Sequence, residues 1–192
     1  GGDDTLIGGG GSDTLSYANA ASGVTVDLTS GNVADDGDGG SDTFSGFENL
    51  TGSANADNLT GTGSANIITA GAGNDTIVAT AGDDTLDGEG GTDIVDYSNA
   101  GGAVTVNLDA GTASGFGNDT LANIENVIAT ANNDTITLNA LNNDIDAGAG
   151  NDTIFAGYGG TNDIDGQGGG LDIVDYSNSA NAVTVDLDAG TA

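Results

Sequence analysis

Twenty-seven aspartates stand against three glutamates in a chain of 192 residues that has no Lys, Arg, His or Cys. That inventory leaves one obvious chemistry: carboxylate and carbonyl oxygens offered to a hard cation such as Ca²⁺. The acids recur with a nine-residue period. Leu50, Leu59, Ile68, Ile77, Leu86 and Val95 share one position, and Glu48, Asp57, Asn66, Asp75, Asp84 and Asp93 stand two residues before them. A second series pairs Val127, Ile136, Ile145, Ile154, Ile164 and Val174 with Glu125, Asp134, Asn143, Asp152, Asn162 and Asp172; it takes one extra residue before Ile164 and another before Val174.

Other chemistries are excluded by composition. With a formal charge of −30 and no cation, the chain cannot neutralise nucleic-acid phosphates or dock on an anionic membrane surface. It lacks the common bases, nucleophiles and soft metal ligands, has no disulfide, and has no apolar run long enough for a membrane-spanning helix. Paired carboxylates of the glycosidase kind remain, but no pair stands apart from the repeated turns, so the chain reads as non-enzymatic. Ice binding by files of Thr fares no better, because Ile67, Asp87, Val78, Ile94 and Asp96 interrupt the files.

Nine residues do not fit a helical period, and 36 glycines with abundant Asn and Asp argue against helix. The period predicts a short strand, a tight turn and another short strand. Two such units make one coil of a flattened β-solenoid with a thin apolar core, stable only when coils stack. Turns eighteen residues apart then share an edge. The expected calcium edge carries Asp57, Asp75 and Asp93, then Asp134, Asp152 and Asp172; the calcium-poor edge carries Glu48, Asn66 and Asp84, then Glu125, Asn143 and Asn162. Candidate ligands are Asp13, Asp57, Gly71, Gly73, Asp75, Asp84, Gly88, Gly91, Asp93, Asp134, Gly148, Gly150, Asp152 and Asp172. Glycine-rich turns before Asp75, Asp93, Asp152 and Asp172 mark the tightest pairs, whereas the turns before Asp57 and Asp134 depart from the pattern.

A longer period overlies the short one. Asp93-Ile94-Val95-Asp96-Tyr97-Ser98-Asn99-Ala100 returns 79 residues later at Asp172, with a looser copy 80 residues earlier at Asp13. The chain therefore divides into about 2.4 modules of one continuous solenoid: 1–12 ending one module, 13–92, 93–171, and 172–192 opening another. Both ends fall inside repeats, as in a window of a longer repetitive protein. Val24-Thr25-Val26-Asp27-Leu28, Val104-Thr105-Val106-Asn107-Leu108 and Val183-Thr184-Val185-Asp186-Leu187 alternate as half-buried strands of longer coils. The links at 30–41 and 111–118 vary between copies, and Asp35-Asp36-Gly37-Asp38 reads as a solvated acidic loop rather than an extra cation site.

Gly8-Gly9-Gly10-Gly11-Ser12-Asp13-Thr14-Leu15-Ser16 resembles the G-G-x-G-x-D-x-U-x nonapeptide of the RTX (hemolysin-type) calcium-binding repeats. Ala70-Gly71-Ala72-Gly73-Asn74-Asp75-Thr76-Ile77-Val78 and Gly88-Glu89-Gly90-Gly91-Thr92-Asp93-Ile94-Val95-Asp96 match with single lapses. The resemblance implies an all-β, right-handed parallel β-roll holding several Ca²⁺ ions in its turns, in a protein exported unfolded by a type I system to the extracellular space. High charge with few aromatics is also a signature of disorder, so a fold conditional on cations is expected. The functional expectation is a secreted calcium-binding structural repeat protein of a surface layer, adhesin stalk or filament, able to self-associate. The alternative is the non-catalytic export and folding module of a larger secreted hydrolase or toxin.

Overall fold

The computed structural model describes residues 2–33 and 36–185 and contains no helix among them. The first strands are β1 (Thr5–Ile7), β2 (Thr14–Ser16), β3 (Thr25–Asp27), β4 (Asn32–Val33) and β5 (Asp42–Ser45). A regular run follows: β6 (Asn49–Thr51), β7 (Asn58–Thr60), β8 (Ile67–Thr69), β9 (Thr76–Val78), β10 (Thr85–Asp87) and β11 (Ile94–Asp96). The pattern then repeats as β12 (Thr105–Asn107), β13 (Thr112–Ser114), β14 (Asn118–Ala122), β15 (Asn126–Ile128), β16 (Thr135–Thr137), β17 (Asp144–Asp146), β18 (Thr153–Phe155), β19 (Asp163–Asp165) and β20 (Ile173–Asp175).

Most strands are three residues long because only three separate one Gly/Asp turn from the next. Alternation sends the central side chain inward and its neighbours outward. Leu50, Leu59, Ile68, Ile77, Leu86, Val95, Val127, Ile136, Ile145 and Ile154 are accordingly buried, while Ile164 and Val174, late in the described stack, are partly covered. Each fully buried one contributes about 1.5–3 kcal/mol. Two residues on, the corner position is small in most coils (Ala70, Ala79, Ala129, Ala147, Ala156) and also buried, with Leu138 the larger buried exception after Ile136. Small corners let the two sheets approach.

Strands alternate between two facing sheets, so each serves as the crossover that a parallel pair needs. One sheet has ten strands in the order β2-β6-β8-β10-β14-β13-β12-β16-β18-β20; the other has seven, β19-β17-β15-β11-β9-β7-β3. A three-stranded sheet, β1-β5-β4, continues the second, with β4 lying against β3. Register follows the nonapeptide: Leu59 faces Ile77, and Ile77 faces Val95.

Two features depart from the sequence reading. The variable links do not simply lengthen coils. They fold back as antiparallel pairs, β4 on β5 and β13 between β12 and β14, inside otherwise parallel sheets. The strand expected at 24–28 is β3 and that at 104–108 is β12. The third copy is not a strand at 183–185, and residues 186–187 lie outside the described residues.

The second departure concerns the edges. The Tyr-bearing repeat strand is β2, then β11, then β20, which belong to the ten-stranded, seven-stranded and ten-stranded sheets in turn. Successive modules are thus related by a half-turn about the solenoid axis. Asp57, Asp75 and Asp93 precede strands of the seven-stranded sheet; Asp134, Asp152 and Asp172 precede strands of the ten-stranded one. The single calcium edge expected from counting is corrected to an aspartate series that changes sides at the module joint. The cause is the inserted hairpin, which occupies chain without advancing to the opposite sheet.

Each hairpin is pinned by a buried polar contact. Tyr97 fills the corner where most other coils have Ala or Gly, is wholly buried, and donates its hydroxyl to Asp119 Oδ2 at 2.7 Å. Tyr17 does the same to Asp42 Oδ2 at 3.1 Å. Burial, then the neighbouring carboxylate charge, drives both phenols well above the ordinary tyrosine range, so they stay protonated donors.

Candidate metal centre: stacked aspartate turns

The acids of each column form a ladder. Asp57 N–H donates to Asp75 Oδ1, Asp75 N–H to Asp93 Oδ1, and Asp134 N–H to Asp152 Oδ1, all at 2.8 Å. Asp152 N–H donates to Asp172 Oδ1 at 3.0 Å. Every rung uses one carboxylate oxygen, and the fate of the second oxygen divides the turns into two kinds.

In glycine-rich turns the second oxygen has no partner. Oδ2 of Asp13, Asp75, Asp93 and Asp152 is buried without a hydrogen bond. Such an atom is costly when charged. Burial raises the pKa of Asp75 and of Asp152, with the Asp57 and Asp134 charges adding to the rise. At Asp93, burial followed by the charges of Asp75 and Glu125 pushes the pKa to about 6, against the downward pull of the Asp75 N–H. The glycines allow this stacking. Gly73 sits at φ 138 and donates to the Gly90 carbonyl at 2.9 Å, and a Cβ on Gly91 would overlap the Gly73 carbonyl oxygen. Gly71, Gly148 and Gly150 lie equally close to the preceding coil, and Gly88 lies beside the following one.

In the other turns a side chain four residues earlier satisfies the acid. Ser53 gives both its N–H and its hydroxyl to Asp57, which also takes Val24 N–H at 2.7 Å. Thr130 does likewise for Asp134, together with Val104 N–H at 2.7 Å. Asp84 accepts from Asn66 N–H at 2.8 Å and the Thr80 hydroxyl at 3.2 Å, and burial foremost lifts its pKa to about 6. Asn66 and Asn143 instead turn their amides to the Glu48 and Glu125 carbonyls. These hydroxyls escaped the sequence reading, although Ser or Thr in place of the repeat glycine was their signal.

Of the expected ligands, then, Asp75, Asp93, Asp152 and Asp13 present free buried oxygens. Asp57, Asp134 and Asp84 have both oxygens supplied from within the protein. Asp172 is exposed, with Oδ2 over Gly166. Among the described residues no three carboxylates converge. A cation held here would draw most of its six to eight oxygens from backbone carbonyls, which keep a second lone pair after one hydrogen bond. The orphaned oxygens and tight glycine turns fit Ca²⁺, whose charge would offset the buried carboxylates. The loop at 35–38 has Asp36 Oδ1 taking Asp38 and Gly40 N–H groups, both at 2.9 Å, and Asp38 Oδ1 taking Ala21 N–H at 3.1 Å; Asp35 lies outside the described residues.

No curated protein matches the chain. The family described as RTX calcium-binding nonapeptide repeat (4 copies) matches residues 1–18, 42–77, 51–86, 69–99 and 123–154, more than half of the sequence. The orphaned carboxylates of Asp13, Asp75, Asp93 and Asp152 all fall within those matched segments, and the chain belongs to the RTX calcium-binding nonapeptide repeat family as a calcium-binding β-roll.

Proposed function

We propose that the chain is an extracellular structural repeat, of the surface-layer, adhesin-stalk or filament kind, that folds and stiffens on binding calcium and catalyses no reaction. The observation carrying this reading is the set of stacked aspartates, Asp13, Asp75, Asp93 and Asp152, whose second carboxylate oxygens are buried with no protein partner. Stacked ionised, they repel and lose hydration, which opposes folding. Bound Ca²⁺ supplies the missing positive charge, so binding free energy becomes folding free energy. A low-calcium cytoplasm then favours the extended, exportable chain, consistent with type I secretion.

A structural role is supported by the recurrence of whole modules and by clefts that are shallow grooves on the solenoid surface. Outward carboxylates such as Asp144, Asp163 and Asp165 remain for bridging neighbouring copies through further calcium; nucleic acid and membrane insertion are not expected partners.

Sedimentation velocity in millimolar calcium and then in chelator tests the reading. A slow expanded chain that turns into large ordered assemblies with calcium supports it. A compact calcium-bound monomer favours the appended export module of a larger secreted protein. Identical sedimentation in both buffers overturns calcium-coupled folding.

A further inference from the structure

At the module joints marked by Asp13 and Asp93 an aspartate column meets a turn that has no glycine run. Asp13 is followed in its column by Gly46-Phe47-Glu48, and Asp93 by Asn123-Ile124-Glu125. The two joints share three details. First, the glutamate takes the ladder bond: Asp13 N–H donates to Glu48 Oε2 at 3.0 Å and Asp93 N–H to Glu125 Oε2 at 2.9 Å. Second, the residue two before it is left-handed, Gly46 at φ 69 and Asn123 at φ 51. That conformation is uncommon for a side-chain-bearing residue, though Asn tolerates it; Asn123 is held there by donating its amide to Asp87 Oδ1 at 2.8 Å.

Third, the carbonyl of that left-handed residue is brought over a glycine of the preceding turn. A Cβ on Gly88 would run into both the Asn123 carbonyl oxygen and Asp93 Oδ2; one on Gly8 would meet the Gly46 carbonyl and the Asp13 side chain. Asp93 is fully buried, and its Oδ2, like that of Asp13, has no partner. At the Asp93 joint a free carboxylate oxygen and a carbonyl thus crowd the same glycine beside a stacked glutamate, and the Asp13 joint, on the opposite edge, repeats the carbonyl, the aspartate and the glutamate.

We propose that Glu48 and Glu125 are calcium ligands that close the last site of their columns, together with the Gly46 or Asn123 carbonyl and Asp13 or Asp93 Oδ2. The inference rests on the calcium reading above. It assigns a cation site to turns that lack the repeat's glycines, and to glutamates that edge counting had placed on the calcium-poor side. Glutamate suits the position because its extra methylene lets one oxygen keep the ladder bond while the other reaches the gap left by the shorter turn.

Calorimetric calcium titration of the full chain tests it. E48Q/E125Q keeps an oxygen to accept the Asp13 and Asp93 N–H groups but loses the charge. It is expected to bind two fewer ions, or to bind two at least about tenfold more weakly, while D109N, an exposed charge in a remote link, titrates like the parent. Unchanged number and affinity in E48Q/E125Q, with ions lost in D75N/D152N, overturns this inference and leaves the calcium reading standing. No uptake by the parent chain overturns both. Should E48Q/E125Q not fold in calcium, E48Q and E125Q are titrated singly, each expected to lose one ion; retention of all ions by both overturns the assignment.

Discussion

The turns ending in Asp75 and Asp57 lie on the same edge, one coil apart, and carry the same acid at the same place in the ladder. Asp75 has a buried oxygen with nothing to bond. Asp57 has its oxygens filled by Ser53 and Val24. Asp152 and Asp134 repeat the contrast on the opposite edge, where Thr130 replaces Ser53. The difference teaches that a carboxylate's role here is set by the residue four positions before it. Gly71 and Gly148 leave the charge for a cation, as Glu89 does before Asp93, whereas Ser53 and Thr130 settle it internally.

The largest expected effect breaks this contrast directly. D75N/D152N should weaken apparent calcium affinity by at least about tenfold in a calorimetric titration, whereas D57N/D134N should stay close to the parent. Equal losses would mean that both kinds of turn hold calcium.

Next in size, Thr130→Ala strips Asp134 of its hydroxyl donor inside a buried turn. A loss of about 1–3 kcal/mol is expected in urea unfolding with saturating calcium, and a loss near zero would show that the hydroxyl is dispensable. Tyr97→Phe leaves Asp119 Oδ2 without its 2.7 Å donor and should cost a similar or slightly smaller amount. Tyr17→Phe, at 3.1 Å, should cost less, and a reversed order would mean that the shorter hydroxyl bond is not the stronger pin of its hairpin.

The smallest effect is on pH. Asp84 and Asp93 titrate near 6 when folded, with burial the leading cause, against about 3.9 when unfolded. The folded state therefore holds protons more tightly. Without calcium, their contribution is fully present below about pH 4 and is lost as pH rises through 6. Calcium-free chain should accordingly be more structured by circular dichroism at pH 5 than at pH 7.5, and calcium affinity should fall over the same acid range, where protons compete for Asp93. A calcium-free chain that loses structure on acidification would refute the sign.

The central residues of β6 to β11 were legible in the sequence because a period of nine with one apolar position leaves a three-residue strand a single way to face inward. The free aspartates were legible for a related reason: glycine-rich turns announce close backbone stacking. Ser53 and Thr130 were harder to read, since a hydroxyl in a turn signals capping only once its distance to the acid is known. Tyr97 and Asp119 lie 22 residues apart, across a hairpin whose shape no periodicity describes.

Local chemistry by itself thus determined the repeat, the thin core and the place of each acid within its turn, because those depend on spacing within a coil. The tertiary structure alone decided which edge each acid occupies. Hairpins β4–β5 and β13–β14 take up chain without crossing between the sheets, so counting residues across a module joint loses track of sides. Stacking then carries that half-turn into every later coil.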